Sequence, residues 1–438
     1  MLQRFKNHIQ TQFPELFQKR LILAISGGID SIVLLHLCKT VGLNVALAHC
    51  NFGLRADESD ADEAFLTALA THLELEMFTE RFNTEQYASD TKLSIQMAAR
   101  ELRYRWFEEL VSQLKFDYVL VAHHADDNLE TFFINLSRGT GLDGLTGIPE
   151  TNGYILRPLL PFSRDEIAAY ANQQQLQWRE DSSNSSTKYL RNKLRHEVIP
   201  ILKDINPQWL QNFSKTQQHL QDTKFLVDDY MTQVYNDVVT LDDDKLKFNI
   251  AKLLKYPKPK AYLYELLKSY QFTAWDDILN LLFAQSGKQV FSETHRLLRD
   301  REYLILDTLD NAPNSVKTNY SVNTDFEDVD TEFGTLVFTS VSEIGDTNSN
   351  CIYVDQDTLK HPVIIRKWEQ GDFFYPLGMQ GKKKLSKYFK DEKLSLFEKE
   401  AVWVLCSNTE IVWVINRRAD GRFKVNSNTK HILKIEVQ

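Results

Sequence analysis

Along the first 140 residues, apolar and polar positions alternate in blocks. Three apolar runs, Leu21 to Ile25, Asn44 to His49 and Tyr118 to Ala122, read as strands, separated by helical stretches that run from Ile32 and from Ser59. Ile95, Ala99, Leu102, Trp106 and Leu110 lie on one stripe of a helix over Ser94 to Leu114, with Arg100 and Arg103 one turn apart beside it. A helix over Asp126 to Leu136 follows the third strand and runs into the glycine-rich Gly139 to Gly144. Before the first strand, Phe5, Ile9, Phe13, Leu16 and Phe17 predict a short amphipathic helix broken near Pro14. Strands alternating with helices predict an α/β fold. Its parallel sheet is covered on both faces, and ligands gather at the carboxyl ends of the strands.

Beyond Pro158 to Pro161, the pattern predicts a helix over Arg164 to Gln175. A capping or turn cluster follows at Asp181 to Asn184, then a helix over Tyr189 to Val198 limited by Pro200. From Asn206 to Asp307 helix formers dominate and the glycine turns of the first part are missing, so a mostly helical domain is expected. An acidic stretch follows, and β-prone runs return from Cys351 around a lysine-rich helical segment. The expected organisation is an α/β domain over 1–205, a helical domain over 206–310, an acidic connector over 311–350 and a small α+β domain over 351–438.

Composition narrows the class. The chain has 438 residues, 43% hydrophobic and 25% charged, which is ordinary for a soluble globular protein. No apolar run approaches a membrane span, and Met1 to Phe5 lacks a signal-peptide core, so a cytoplasmic protein with no membrane partner is expected. The four cysteines, Cys38, Cys50, Cys351 and Cys406, are scattered without zinc-type spacing. The net charge of −9 argues against a nucleic-acid partner only until it is divided by region. Between Asp307 and Asp346 nine acidic residues face the single Lys317, whereas from Cys351 to Gln438 sixteen Lys/Arg face eleven Asp/Glu. A basic face for RNA is therefore available.

The chemistry concentrates where strands end. Ser26-Gly27-Gly28-Ile29-Asp30-Ser31, between the first strand and its helix, places backbone N–H groups and two hydroxyls around one anion. It is no Walker loop, since GxxxxGK[ST] is absent. The form SGGxDS resembles the PP-loop of the ATP pyrophosphatase superfamily, which cuts ATP between the α and β phosphates. On that resemblance Ser26 to Ser31 bind ATP and Asp30 can hold Mg²⁺. The second strand runs into His49-Cys50-Asn51-Phe52-Gly53-Leu54-Arg55, similar to the HxNxxLR element of tRNA-modifying members, with Phe52 where many relatives have His. The third runs into His123-His124-Ala125-Asp126-Asp127-Asn128-Leu129-Glu130-Thr131. Asp127 and Glu130, spaced i,i+3, share a helix face and form a paired-carboxylate pocket for an amine.

Three further elements make the resemblance specific. They are Ser137 to Leu145 with Ile148-Pro149, the Arg157-Pro158-Leu159-Leu160 turn, and Glu180 to Asn184 with Tyr189, Arg191-Asn192, Arg195 and Pro200. In this order they resemble the tRNA(Ile)-lysidine synthetase family over the first 200 residues. In the tail, Gly371-Asp372-Phe373, Pro376-Leu377-Gly378 and Gly381 to Phe389 resemble that family's GDxFxPxGxxGxKKLxxxF pattern. The resemblance implies ATP-dependent joining of L-lysine to the wobble cytidine of a CAU-anticodon isoleucine tRNA, through an adenylated cytidine. It implies Asp30, Arg103, Asp127, Glu130 and Arg195 as catalytic residues, with Asp127 and Glu130 holding lysine by either its α- or its ε-amine. Lys382, Lys383, Lys384 and Lys387, beside Tyr388 and Phe389, are the expected tRNA contacts, combining phosphate pairing with base stacking. A PP-loop tRNA thiolase, or a non-catalytic tRNA- or nucleotide-binding protein, is the competing reading. The oligomeric state stays open, a homodimer included.

Overall fold

The structure is a computed structural model that describes residues 1–54, 57–180, 190–242, 245–309, 319–323, 325–346 and 348–438. Arg55, Asp181 to Asn184 and Tyr189 lie outside the described residues. The chain divides into two compact units, Met1–Asp229 and Tyr230–Gln438. The first contains α1 (Leu2–Gln12), β1 (Leu21–Ala24), α2 (Ile29–Val41), β2 (Val45–Asn51), α3 (Asp57–His72) and β3 (Met77–Arg81). It continues with α4 (Thr84–Thr91), α5 (Ile95–Leu114), β4 (Tyr118–Leu120), α6 (Ala125–Ser137), α7 (Leu142–Leu145), β5 (Thr151–Asn152), β6 (Ile155–Leu156) and α8 (Arg164–Gln173). Then come α9 (Leu190–Lys193), a π-helical turn over Leu194–Val198, α10 (Ile199–Ile205) and α11 (Trp209–Val238), in which the unit boundary falls.

The sheet order is β3-β2-β1-β4-β6-β5. All its pairings are parallel except that of β5 with β6. β1 is central, with Leu23 opposite both Leu47 and Leu120. Its unbroken apolar run is explained by burial on both faces: Leu21 and Leu23 pack into the cluster built with α2 and α8, Ile22 into the one built with α5. Each such side chain stabilises the fold by about 1.5–3 kcal/mol. Because the chain leaves β1 for β2 and β3 on one side and returns to β4 on the other, the strand order reverses between β1 and β4. That is where such sheets open a crevice for ligands. The helical stretch expected to stop before Pro200 ends at Val198, and α10 follows it directly. Pro200 occupies the first turn of α10, where an N–H would have no acceptor within that helix and the fixed φ of proline suits the helix start.

The second unit differs from expectation in two places. Within 206–310, helices α12 (Ile250–Leu253), α13 (Pro259–Leu267) and α14 (Trp275–Leu281) do form. They share a core with a five-stranded sheet in the order β7-β8-β11-β10-β9. Its strands are β7 (Val239–Asp242), β8 (Lys245–Asn249), β9 (Gln289–Phe291), β10 (His295–Asp300) and β11 (Tyr303–Thr308). These strands are short, and a reading of helix propensity over a hundred residues averages them away. The stretch 311–350, expected as a connector, contains β12 (Asn319–Val322), β13 (Val329–Thr331) and β14 (Gly334–Val341). Its acidic residues act as acceptors: Glu332 takes bonds from Lys367 and from Trp403 Nε1, and Asp328 takes the N–H of Phe338.

β15 (Cys351–Asp355), β16 (Val363–Lys367), β17 (Phe373–Phe374), β18 (Lys383–Lys384), α15 (Leu385–Asp391), α16 (Leu396–Glu400), β19 (Trp403–Ser407), β20 (Glu410–Val414), β21 (Arg418–Ala419) and β22 (Ile432–Val437) complete the unit. The sheets β12-β16-β19-β20-β21 and β13-β14-β22-β15 enclose a core around Leu405, Trp413 and Ile435. Among the described residues no helix is long and apolar enough to cross a membrane.

Candidate active site

The Ser26 to Ser31 loop is organised by its own hydroxyls. Ser31 Oγ donates to the Gly28 carbonyl at 2.9 Å and accepts from Ser26 N at 3.3 Å; the two hydroxyls lie 3.4 Å apart. Gly27 holds φ +87°, where a side chain would be strained, and its carbonyl accepts from Arg179 N at 3.0 Å. Ile29 is buried in the core, so only its backbone is available to a ligand. With the first-turn N–H groups of α2 lacking intrahelical acceptors, the loop presents donors to an anion at the positive end of a helix dipole.

Asp30 opens the second half of the site. It is bonded to Arg164, and its Oδ1 lies 3.8 Å from His124 Nε2. His124, 3% exposed, caps α6: its Nδ1 takes the Asp127 N–H, and Asp127 Oδ2 takes the His124 N–H at 3.1 Å. Arg195, from the π-helical turn, donates through Nη2 to Asp127 Oδ1 at 3.0 Å and through Nε to Glu130 Oε1 at 2.6 Å. Arg191 Nε lies 3.5 Å from Glu130 Oε2. Asp126 lies on the other side of His124, 3.8 Å from its Nδ1, and is bonded to Arg164 N at 2.8 Å and to Lys203 Nζ at 2.7 Å.

The two carboxylates titrate in opposite directions. Burial pushes Glu130 above the usual carboxylate range, with the Asp127 charge adding to it against the pull of Arg195 and Arg191. Burial acts the same way on Asp127, but the two histidines, the His124 N–H and Arg195 together hold it below that range. Burial also opposes the Arg195 charge, and hydrogen bonding and attraction to Glu130 and Asp127 outweigh it. The bidentate geometry makes this an ionic cluster near neutrality. Glu130 takes up a proton first on acidification.

Asp30, Asp127, Glu130 and Arg195 thus meet at the β1/β4 crevice, linked through His124. Arg103 does not join them. It sits at the carboxyl end of β2, its guanidinium 5.2 Å from the Phe52 ring centroid, and Phe52 in turn stacks on Phe82 at 5.5 Å. In the second unit Lys382 caps the Phe373 ring at 3.4 Å, Lys383 pairs with Asp391 at 2.8 Å, and Lys384 and Lys387 are exposed. Tyr388 and Phe389 are core residues, 4% and 0% exposed, so the stacking expected of them is not available. Sequence reasoning missed Arg164 on Asp30, Arg191 on Glu130 and the pairing of Arg157 with His123. Arg157 and Arg191 stand in motifs that the sequence shows, but nothing in the sequence names the partner of either, and Arg164 has no signal at all.

A parallel sheet with a glycine-serine loop at its switch point and a carboxylate-arginine cluster across the crevice defines a nucleotide-binding domain of the PP-loop class. Residues 1–202 match the PP-loop domain family, 241–309 the TilS substrate binding domain and 363–437 the TilS substrate C-terminal domain. A tRNA(Ile)-lysidine synthase of Parabacteroides distasonis is 42% identical over 415 residues, 94% of each chain. Those of Bacteroides thetaiotaomicron and Porphyromonas gingivalis are 37% identical over 98% of both chains and 35% identical over 98% of this chain and 97% of theirs. The chain belongs to the tRNA(Ile)-lysidine synthase family.

Proposed function

We propose that this chain joins free L-lysine to the wobble cytidine of an isoleucine tRNA with a CAU anticodon, consuming ATP and releasing AMP and pyrophosphate. The observation that carries the reading is the arrangement of an ATP-type loop after β1 and an amine-type carboxylate pair on α6, the helix after the adjacent strand β4, in a chain whose relatives of nearly equal length are named tRNA(Ile)-lysidine synthases.

The cytosine 2-carbonyl oxygen attacks the α-phosphate, the bond to pyrophosphate breaks, and an adenylated cytidine forms. The loop N–H groups and the Ser26 and Ser31 hydroxyls hold the departing negative charge. Asp30 offers one partly exposed carboxylate beside the phosphate cradle, which suits Mg²⁺, an ion commonly bound by one or two carboxylates together with substrate phosphates. Bound there, the ion would supply charge neutralisation on the phosphates, and Asp30 would have to release Arg164. Lysine's amine then attacks C2 of the cytosine, AMP leaves, and the amine loses a proton. A free lysine side chain has a pKa of about 10.4, so that proton needs an acceptor. Glu130, the carboxyl raised by burial, is the better acceptor; Asp127, which stays ionised, holds the cation. Arg195 occupies both carboxylates, so an entering ammonium replaces its guanidinium there and frees it for the α-phosphate or the activated base.

The thiolase reading loses support from the cysteines. Burial pushes Cys50 up to about 12 and Cys406 up to about 11, and it raises Cys38 and Cys351 as well. None is an activated thiolate at neutral pH. The test is incubation with CAU-anticodon isoleucine tRNA, ATP and labelled lysine. Incorporation is expected at the wobble cytidine, with one pyrophosphate released per lysine. Pyrophosphate release without incorporation, or sulfur transfer in its place, overturns the proposal.

A further inference from the structure

His123, the first of the paired histidines, and Arg157, from the Arg157-Pro158 turn, have no part in the scheme above. Arg157 follows β6 and is 4% exposed. Its Nη1 donates to the Pro149 carbonyl at 2.7 Å and its Nε to His123 Nδ1 at 3.2 Å. The backbone beneath both residues is fixed by the pairing of β4 with β6, which continues through Val121 N to the Leu156 carbonyl at 2.9 Å. A guanidinium carries only N–H donors and accepts nothing. Nδ1 must therefore present its lone pair, and a neutral imidazole so fixed carries its proton on Nε2.

The surroundings keep the ring in that state. Burial lowers the His123 pKa to about 4, and Arg157, Arg191 of α9 and Arg100 of α5 act in the same direction against the pull of Asp127 of α6. The two neighbouring histidines thus divide: His124 faces the carboxylates of Asp30, Asp126 and Asp127, and His123 faces arginine. His123 Nε2 has no hydrogen-bond partner among the described residues, and the residue is partly exposed at the carboxyl end of β4, next to the strand that carries the phosphate loop. Three nearby arginines make this a place for an anion.

We propose that His123, fixed by Arg157 as the Nε2–H tautomer, donates that proton as a hydrogen bond to a phosphoryl oxygen of a bound substrate, and that Arg157 is its positioning residue. The assignment of the oxygen rests on the reaction proposed above; the tautomer does not. The acceptor belongs either to the ATP α-phosphate or to the RNA backbone.

The first test needs no turnover. In the full chain labelled with ¹⁵N-histidine, with His123→Gln used for assignment, the His123 signals are expected to show an unprotonated Nδ1 and a protonated Nε2 at neutral pH. Arg157→Met is expected to release the ring to a mixture of tautomers. A proton on Nδ1, or a charged ring at neutral pH, overturns the proposal. The second test compares His123→Gln, whose amide N–H stands near the Nε2 position, with His123→Leu, which has no donor. Loss of a hydrogen bond to a charged group predicts about tenfold to hundredfold weaker binding for the Leu variant and recovery of most of it by Gln. The loss appears in the ATP dissociation constant if the acceptor is the nucleotide, and in the tRNA dissociation constant if it is the backbone. Equal weakening by Gln and Leu, or none by Leu, overturns it. A wild-type chain that incorporates no lysine counts against the reaction alone, because both affinities can still be measured.

Discussion

At the scale of single residues, the site is a set of titratable groups pushed apart by where their neighbours stand. Asp127 and Glu130 are chemically alike and one helical turn apart. The histidines, the His124 N–H and Arg195 nevertheless hold one carboxyl below its usual range, while burial lifts the other above it. Replacing Asp127 by Asn keeps an acceptor for the His124 N–H but removes the charge that faces an incoming ammonium. Lysine incorporation is expected to fall more than hundredfold, with unfolding free energy reduced by about 1–2 kcal/mol for the weakened cap and ion pair; denaturant melts beside the labelled-lysine assay separate the two. His123 gives a stability prediction of opposite chemistry. With a folded pKa of about 4 against an unfolded value near 6.5, the unfolded chain binds a proton between those values that the folded chain does not. Stability is therefore lost as pH falls from about 6.5 towards 4, by about 2 kcal/mol between pH 7 and pH 5. The His123→Gln variant should lose less than wild type over that interval by about that amount.

At the scale of elements, α11 is fastened to α6 by a buried amide pair. Asn128 Nδ2 donates to Gln217 Oε1 at 2.6 Å, and Asn128 Oδ1 accepts both Gln217 Nε2 at 3.3 Å and the Ile148 N–H at 2.7 Å. Gly147 sits against this junction with φ +80°, and a Cβ there would lie 2.1 Å from Gln217 Nε2 and 2.3 Å from Asn128 Oδ1. Gly147→Ala is therefore expected to strain the backbone and part the amides, costing about 2–4 kcal/mol in denaturant unfolding. An unaltered midpoint would remove the junction from the account of how α11 is held. The same elements show what a linear reading can reach. β1, its loop and the start of α2 were legible because the signal is local: an apolar run, two glycines between serines and a second apolar run, all close together in the sequence. The Asp127/Glu130 face was legible because helical spacing places i and i+3 together. That Arg195 closes on that pair from 65 and 68 residues away, and that Arg157 reaches His123 across 34, was not. Neither partner leaves a periodic trace. The strands of 239–308 and 319–341 escaped for another reason: they are three to eight residues long, and their acidic members look like linker until cross-strand donors are seen.

At the scale of the whole molecule, a chain of net charge −9 has to hold a polyanion, so its cations must be gathered where the RNA lies. We propose the lysine run of the second unit as such a gathering, and its members are not equivalent. Lys383 is already paired with Asp391 at 2.8 Å, so RNA gains little from it without losing that pair. Lys384 and Lys387 are exposed, and Lys382 lies over the Phe373 ring with its charge still open to solvent. Each phosphate neutralised releases about 0.7–0.9 counterion, so contacts can be counted from the salt dependence of binding. If Lys382, Lys384 and Lys387 each meet one phosphate, changing all three to Ala should flatten the slope of log affinity against log salt by about 2–3. Lys383→Ala alone should leave the slope nearly unchanged. ATP binding should be unaffected in either variant, because none of these lysines belongs to the Ser26 to Ser31 loop. Filter binding of the CAU-anticodon isoleucine tRNA across a salt series reads the slopes. An equal slope in the triple variant and wild type would take the lysine run off the RNA and leave the other cations of the tail to hold it.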